Sequence, residues 1–302
     1  MRLQHWILLI VLSLLWGAGF IFSKDALSAL PPLTLTLLRC AIAAAVLLAA
    51  ALALGHTLPR AAGAWRDFAV MAVLNNVIPF ALIFTGQTMI PSGLASVANA
   101  TTPLMTLLVA RLVAGERLSR NKFVGVGLGI VGVAVLVGPS ALVGDKASVL
   151  GTLLVIGGAF SYGCSGLWGR RFKATPPIIT AAMQLSASTL MVLPIAALSD
   201  QFWRLPMPSA PIVASVLALS IMSTALAYIL FFRIMAEAGS NNVMLVTLLI
   251  PISAIGIGAW HFGERLAPNQ FAGAAIIAAS LLVIDGRLFG AGGAAAAPKP
   301  TA

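Results

Sequence analysis

The feature that most constrains this chain is a shortage of charge. Asp, Glu, Lys and Arg supply 9% of its 302 residues, and what lies between them falls into long apolar runs. A soluble protein carries roughly a quarter of its residues as charges, so an ordinary water-facing surface is excluded. With 60% apolar residues and a mean hydropathy of +1.03, the surplus apolar surface must face lipid. Apolar stretches bounded by charges, Pro/Gly or Asn/Ser clusters lie at about 5–23, 33–54, 67–87, 92–113, 121–140, 148–168, 177–198, 211–233, 241–262 and 268–288. Crossing about 30 Å of hydrocarbon takes about 20 residues at 1.5 Å rise, so each run predicts one transmembrane helix. The first run, Trp6 to Phe22, outlasts a secretion-signal core of about 7–15 residues and reads as a retained span. The segment 289–302, rich in Ala, Gly and Pro, is expected to be disordered.

The net charge of +10 does not mark a nucleic-acid binder, because the basic residues are scattered between apolar runs and form no stripe. Their distribution sets orientation instead. One set of alternate loops holds thirteen (Arg2, Arg60, Arg66, Arg111, Arg117, Arg120, Lys122, Arg170, Arg171, Lys173, Arg233, Arg287 and Lys299), and the other holds four: Lys24, Lys146, Arg204 and Arg265. Lys and Arg collect in cytoplasmic loops, so both termini are expected to be cytoplasmic, with Trp6 and Trp65 at the inner interface and Trp203 and Trp260 at the outer one. Cys40 and Cys164 fall inside apolar runs, and neither a disulfide framework nor metal-ligand spacing is indicated.

The chain repeats itself. A shift of 148 residues superposes Pro103 on Pro251, Gly115-Glu116-Arg117-Leu118 on Gly263-Glu264-Arg265-Leu266, Asn121 on Asn269, Phe123 on Phe271 and Gly125 on Gly273. A slightly smaller shift pairs Trp16-Gly17 with Tyr162-Gly163, Lys24 with Arg170 and Pro31-Pro32 with Pro176-Pro177. Five spans per half is an odd number, so the halves are expected to be inverted in the membrane, as in carriers that enclose a midplane site between two similar bundles. The expected fold is an all-α polytopic membrane protein of ten transmembrane helices in two inverted five-helix repeats, 1–143 and 144–288.

The stretches Leu15-Trp16-Gly17, Ile90-Pro91-Ser92-Gly93-Leu94-Ala95-Ser96, Pro103 and Gly115-Glu116-Arg117-Leu118 resemble the drug/metabolite transporter superfamily, EamA-type permeases with two repeats. The second half echoes them less completely, with Gly239-Ser240-Asn241 in place of the Ser-Gly-Leu start. The resemblance implies export or exchange of small organic molecules across the cell inner membrane, with amino acids, aromatic ones included, as the leading cargo. Drugs, amines and nucleotide sugars are other cargoes it allows, and a channel or membrane scaffold is the competing class.

Polar groups inside spans are costly unless they meet partners or cargo. Asn75 and Asn76 precede Pro79, with Ser223-Thr224 and Tyr228 at the matching positions of the second half; Asn99 and Thr102 precede Pro103, and Thr247 precedes Pro251. Proline frees a backbone carbonyl, so Pro79, Pro103 and Pro251 are read as helix breaks at which these side chains address substrate, the alternative being interhelical glue. Trp16, Tyr162, Trp168 and Tyr228 supply either aromatic walls or ordinary packing, and Gln87 and Gln184 are weaker candidates. Arg39, inside the second span, either snorkels outward or attracts a substrate carboxylate. Glu116 and Glu264, at span ends, either favour the N-terminus of the next helix, pair with the neighbouring Arg, or gate. Spans one, three and four with six, eight and nine are expected to line the cavity, and five and ten to be peripheral. No His/Asp/Ser constellation, metal cluster or phosphate loop is present, so the reading is a carrier without catalytic residues, metal or cofactor. Its partners are a small-molecule substrate and the bilayer, as monomer or homodimer. No acid falls mid-span, which favours facilitated efflux over proton antiport.

Overall fold

The computed structural model describes residues 3–59, 61–142, 144–243 and 245–285. The expected disorder of 289–302, and Arg2, Arg60, Arg287 and Lys299 of the charge pattern, lie outside the described residues. Among those described, regular structure is entirely helical. Among the described residues, nine helical segments are long and apolar enough to cross a membrane: Leu3–Ala26, Pro32–Ala53, Gly63–Gln87, Ser92–Ala114, Arg120–Gly138, Lys146–Phe172, Pro177–Ser199, Ala210–Ala238 and Pro268–Asp285. A shorter apolar helix, Val246–Phe262, follows the single turn Ser240–Val243 and occupies the place of the ninth span. The spans are numbered one to ten in chain order below. Large apolar side chains stay exposed along them, among them Leu112, Phe123 and Leu198, and Trp6, Trp65, Trp203 and Trp260 are exposed near span ends. Such a surface is stable only against hydrocarbon with aromatic anchors at its borders, so the chain is a multi-pass membrane protein.

Without a hydrophobic drive between helices in lipid, close backbone approach does the packing, and glycine permits it. Gly86 of span three lies so near span six that a Cβ there would stand 2.6 Å from the Gly151 carbonyl oxygen. Gly17 of span one abuts Ser253 of span nine, while a Cβ on Gly163 of span six would meet the backbone of Met105 and Thr106 in span four at 2.9 Å. Spans five and ten pair through Gly132 and Gly273, where a Cβ on either would come within 3.2 Å of the other's carbonyl oxygen. The glycine row Gly125, Gly129 and Gly132 is therefore packing surface, as its apolar setting implies. Buried Leu35, Phe80, Phe84, Leu94, Leu185 and Leu219 join spans two, three, four, seven and eight in the main core.

Side-chain bonds identify which span ends share a face of the bundle. At one end, called far, the Asp200 carboxylate of span seven accepts from Thr34 N and Oγ1 at the start of span two, both at 2.8 Å. Asp25 at the end of span one meets His261 at the end of span nine (3.2 Å) and Ser215 at the start of span eight (3.3 Å). At the near end, where span one begins, His5 lies 3.5 Å from Glu237 of span eight. Asp200 satisfies orphan amide and hydroxyl donors at a helix N-terminus, so Asp200→Ala is expected to cost about 1 kcal/mol, read as a lower thermal midpoint of the purified protein, with Asp200→Asn retaining part of it.

Candidate functional site

Two interruptions in otherwise regular spans build the site. Span three carries a π-helix at Val73–Val77 and span eight one at Ala218–Leu226. Under the 148-residue shift these segments overlap, and Asn75 and Asn76 coincide with Ser223 and Thr224. A π-turn strands backbone carbonyls and recurs at functional sites. Here hydroxyls take them up: Ser161 Oγ donates to Leu74 O (2.7 Å) and Thr224 Oγ1 to Leu219 O (2.8 Å).

Around the two π-helices the polar side chains interlock. Asn75 Nδ2 donates to Gln184 Oε1 (3.2 Å) and to Tyr228 Oη (3.3 Å), and its Oδ1 accepts from Ser165 Oγ (2.9 Å). Arg39 reaches across from span two. Its Nε donates to Thr224 Oγ1 (2.9 Å), and its guanidinium lies 3.9 Å above the Phe80 ring. Tyr162, Tyr228 and Cys40 are its electrostatic neighbours. The side chain turns into the bundle, so outward snorkelling is overturned by its contacts. The ring therefore draws on spans two, three, six, seven and eight, with span two and seven contributing where spans one, four and nine were expected. Beside it a cavity of about 320 Å³ opens between the near ends of spans two, seven and eight, lined by Leu47, Leu54, Ile178, Tyr228, Ile229 and Phe232 among others.

The remaining sequence candidates are placed elsewhere. Asn76 Nδ2 donates to Ser188 Oγ (3.0 Å), with its Oδ1 buried and unpartnered among the described residues, as is Asn99 Oδ1. Trp16 packs on Phe231 (centroids 5.5 Å). Trp168 donates to Asp67 O (3.1 Å) and stacks on Arg171, both at the near-end border. Thr102 Oγ1 donates to Asn99 O (2.7 Å), one of the carbonyls left by a true break at Ala100–Thr101, just before Pro103. Thr247 is half-buried near the start of helix Val246–Phe262. Two of the three proline breaks need correction. Helix Val246–Phe262 runs unbroken through Pro251, its discontinuity lying before Val246, and at Pro79 the irregularity is the preceding π-turn, with Pro79 second in a new α-helix where a missing N–H costs least.

The repeated Gly-Glu-Arg-Leu segments end spans four and nine alike, each glycine left-handed (φ 66° at Gly115, 68° at Gly263), yet their carboxylates differ in partner. Glu264 caps span four, accepting from Ser92 N (2.9 Å), Ser92 Oγ (2.7 Å) and Gly93 N (3.1 Å); it serves a helix N-terminus, though one 172 residues back in sequence and not the next helix. Beside it Lys24 Nζ donates to Gln87 O (2.6 Å) and Ile90 O (2.9 Å), and Gln87 bonds Ser23 Oγ and Phe20 O. Spans one, three, four and nine are thereby latched at the far end. At the near end Glu116 pairs with Arg170 of span six, not with Arg117, in the open. That contact holds the Glu116 carboxyl below its ordinary range, chiefly through the hydrogen bond from Arg170. A depressed carboxyl stabilises above its unfolded value and loses this as pH falls through its folded value. Transport by vesicles is thus expected to show no transition from this pair between about pH 8 and pH 5, above the ordinary carboxylate range, and only acidification through the lowered carboxyl value should mimic Glu116→Gln.

Comparison with known proteins adds the family context. The sequence profile described as the EamA-like transporter family matches residues 4–138 and again 149–285. The chain is 29% identical to an uncharacterized Bacillus subtilis transporter, YvbV, over 92% of this chain and 90% of that one. It is 27% identical to a Salmonella typhimurium protein named "Probable amino-acid metabolite efflux pump" (91% and 93% covered), and 25% identical to an Escherichia coli inner membrane transporter, YedA (91% and 89%). A crystal structure with 21% identity superposes with a TM-score of 0.64 over 94% of this chain and 98% of its own, which shows a shared fold.

Proposed function

We propose that this chain, which belongs to the EamA-like transporter family, is an inner-membrane carrier that exports small organic metabolites, amino acids first among them, by alternating access between two inverted repeats. The observation that carries this reading is the pair of π-helices at matching positions, which gathers Asn75, Gln184, Thr224 and Tyr228 between the halves. Inversion is supported by the ends: span one starts at the near end, while its mate, span six, finishes there, at the Glu116–Arg170 contact. The Gly17–Ser253 and Gly163–Met105 approaches are equivalent under the repeat. The Lys and Arg excess among the near-end loops supports a cytoplasmic near end. A latched far end and a cavity at the near end then describe a cytoplasm-facing state, ready to load export cargo. The relatives named as an efflux pump and as an inner membrane transporter fit the same direction and location.

The test is counterflow in proteoliposomes across a panel of amino acids, amines and sugars. A carrier shows saturation and counterflow, and a channel neither. Asn75→Leu leaves the π-helix site without its central donor and is expected to lower transport at least about tenfold with insertion intact, since two or three hydrogen bonds of a buried network are lost together. All eight acids lie outside or at the ends of spans, so efflux runs as facilitated transport; strict one-to-one proton exchange would overturn that part.

A further inference from the structure

We infer that Arg39 is a carboxylate-binding residue, so that cargo must bear a carboxylate while its amino group is dispensable. This rests on the site proposed above and narrows its chemistry. Arg39 is a fixed cation held inside a bundle of membrane spans, and burying an unpaired charge is among the most costly things a protein does. Its Nε is taken by Thr224, and one face of the guanidinium is covered by Phe80, while Nη1 and Nη2 have no hydrogen-bond partner among the described residues and the side chain is only half-buried.

No acid in the chain is placed to compensate it. Asp25 faces His261, Asp145 caps Ser148, Asp200 caps Thr34, Glu116 pairs with Arg170, Glu237 with Arg233, and Glu264 caps Ser92. Asp67 begins span three and Asp285 ends span ten, both at span borders. Two free NH2 groups on a planar fork, one N–H from each, match the two oxygens of a carboxylate, and the Tyr228 hydroxyl, which accepts from Asn75, keeps its own O–H to donate. The adjoining cavity walls of Leu47, Leu54, Ile178, Ile229 and Phe232 suit an apolar body attached to that head. The converse follows from the same census. An ammonium group entering this ring finds no carboxylate and a resident cation, so an ion pair to the amine plays no part in recognition.

The experiment uses the full-length protein purified in detergent and reconstituted in proteoliposomes, with three probe pools: the common amino acids, their N-acetyl derivatives and their carboxamides. Free acids and N-acetyl acids are expected to raise the thermal midpoint of the wild type and to compete in counterflow, and carboxamides to do neither. Arg39→Gln should weaken the acid response about 10- to 100-fold, the loss of a charge-assisted pair of hydrogen bonds, with Arg39→Lys recovering part. Tyr228→Phe, which keeps the ring, should weaken it about fivefold to tenfold and provides the reading if Arg39→Gln does not fold. Carboxamides binding as well as acids, N-acetyl acids failing to bind, wild-type affinity in both Arg39 variants, or no response to any acid would each overturn the assignment. Absence of saturable counterflow for every probe would instead remove the carrier reading itself, whereas saturable transport indifferent to the carboxylate removes only this inference.

Discussion

Glu264→Ala is expected to unlatch the far end and move the resting protein toward the opposite-facing state by about 30- to 1,000-fold. The Glu264 carboxylate accepts two backbone N–H groups and one hydroxyl at the start of span four, a helix N-terminus with its positive dipole end. Charge-assisted bonds contribute about 1.5–3 kcal/mol each, and water at a half-buried rim replaces part of that, leaving roughly 2–4 kcal/mol of differential stabilisation. None of it is available to a state in which spans four and nine separate at this end. The check is alkylation of a cysteine placed at Ser96, fully buried here, by a reagent that cannot cross the membrane, in a background lacking Cys40 and Cys164. Labelling should rise sharply in Glu264→Ala and only partly in Glu264→Gln, which keeps an acceptor oxygen. Unchanged labelling in both would show that Glu264 is structural and not a latch.

The second large effect concerns Gly86. A valine there would drive its branched Cβ toward the Gly151 carbonyl oxygen, 2.6 Å from where the Cβ must sit, and toward Val155 at 2.8 Å. Neither neighbour can step aside cheaply, because one is backbone and the other belongs to the same packed helix. Gly86→Val is expected to cost roughly 3 kcal/mol or more and to remove most folded protein from the membrane, as seen by fluorescence-detected size exclusion. Gly127→Ala is the internal control. It too lies in an apolar span, yet a Cβ there meets nothing within 4 Å, so the variant should match or slightly exceed wild-type stability through helix propensity.

The ten spans were readable because hydrocarbon thickness imposes a length that the charge pattern brackets on both sides; segments predicted at 33–54 and 177–198 are helices Pro32–Ala53 and Pro177–Ser199. Polar residues in the third and eighth spans were readable for a similar reason, since lipid makes each of them conspicuous. The π-helices were not. A π-turn is a register choice stabilised by hydroxyls from elsewhere in the fold, here Ser161 of span six for span three, and no local pattern encodes it. Proline misled for the same reason: Pro103 follows a real break, whereas Pro251 is accommodated within a continuous helix. The direction of Arg39 and the partner of Glu264 depend on contacts 185 and 172 residues away, beyond any periodicity. Phe80 and Gln184 gain their importance only from those contacts, the first as the floor beneath a guanidinium, the second as acceptor for Asn75.

In the proposed alternating-access cycle, with the near end cytoplasmic, the uncompensated guanidinium of Arg39 would also make the empty site a voltage sensor. An elementary charge crossing the full membrane field gains or loses about 2.3 kcal/mol per 100 mV. When the near end is open, the field falls mainly across the latched far side, so the charge sits electrically close to the cytoplasm; with the far end open it sits electrically outside. An inside-negative potential therefore draws the unloaded carrier back to its loading position. A bound anion cancels that pull and a zwitterion leaves it in place, so cargo charge decides which half of the cycle the membrane potential drives.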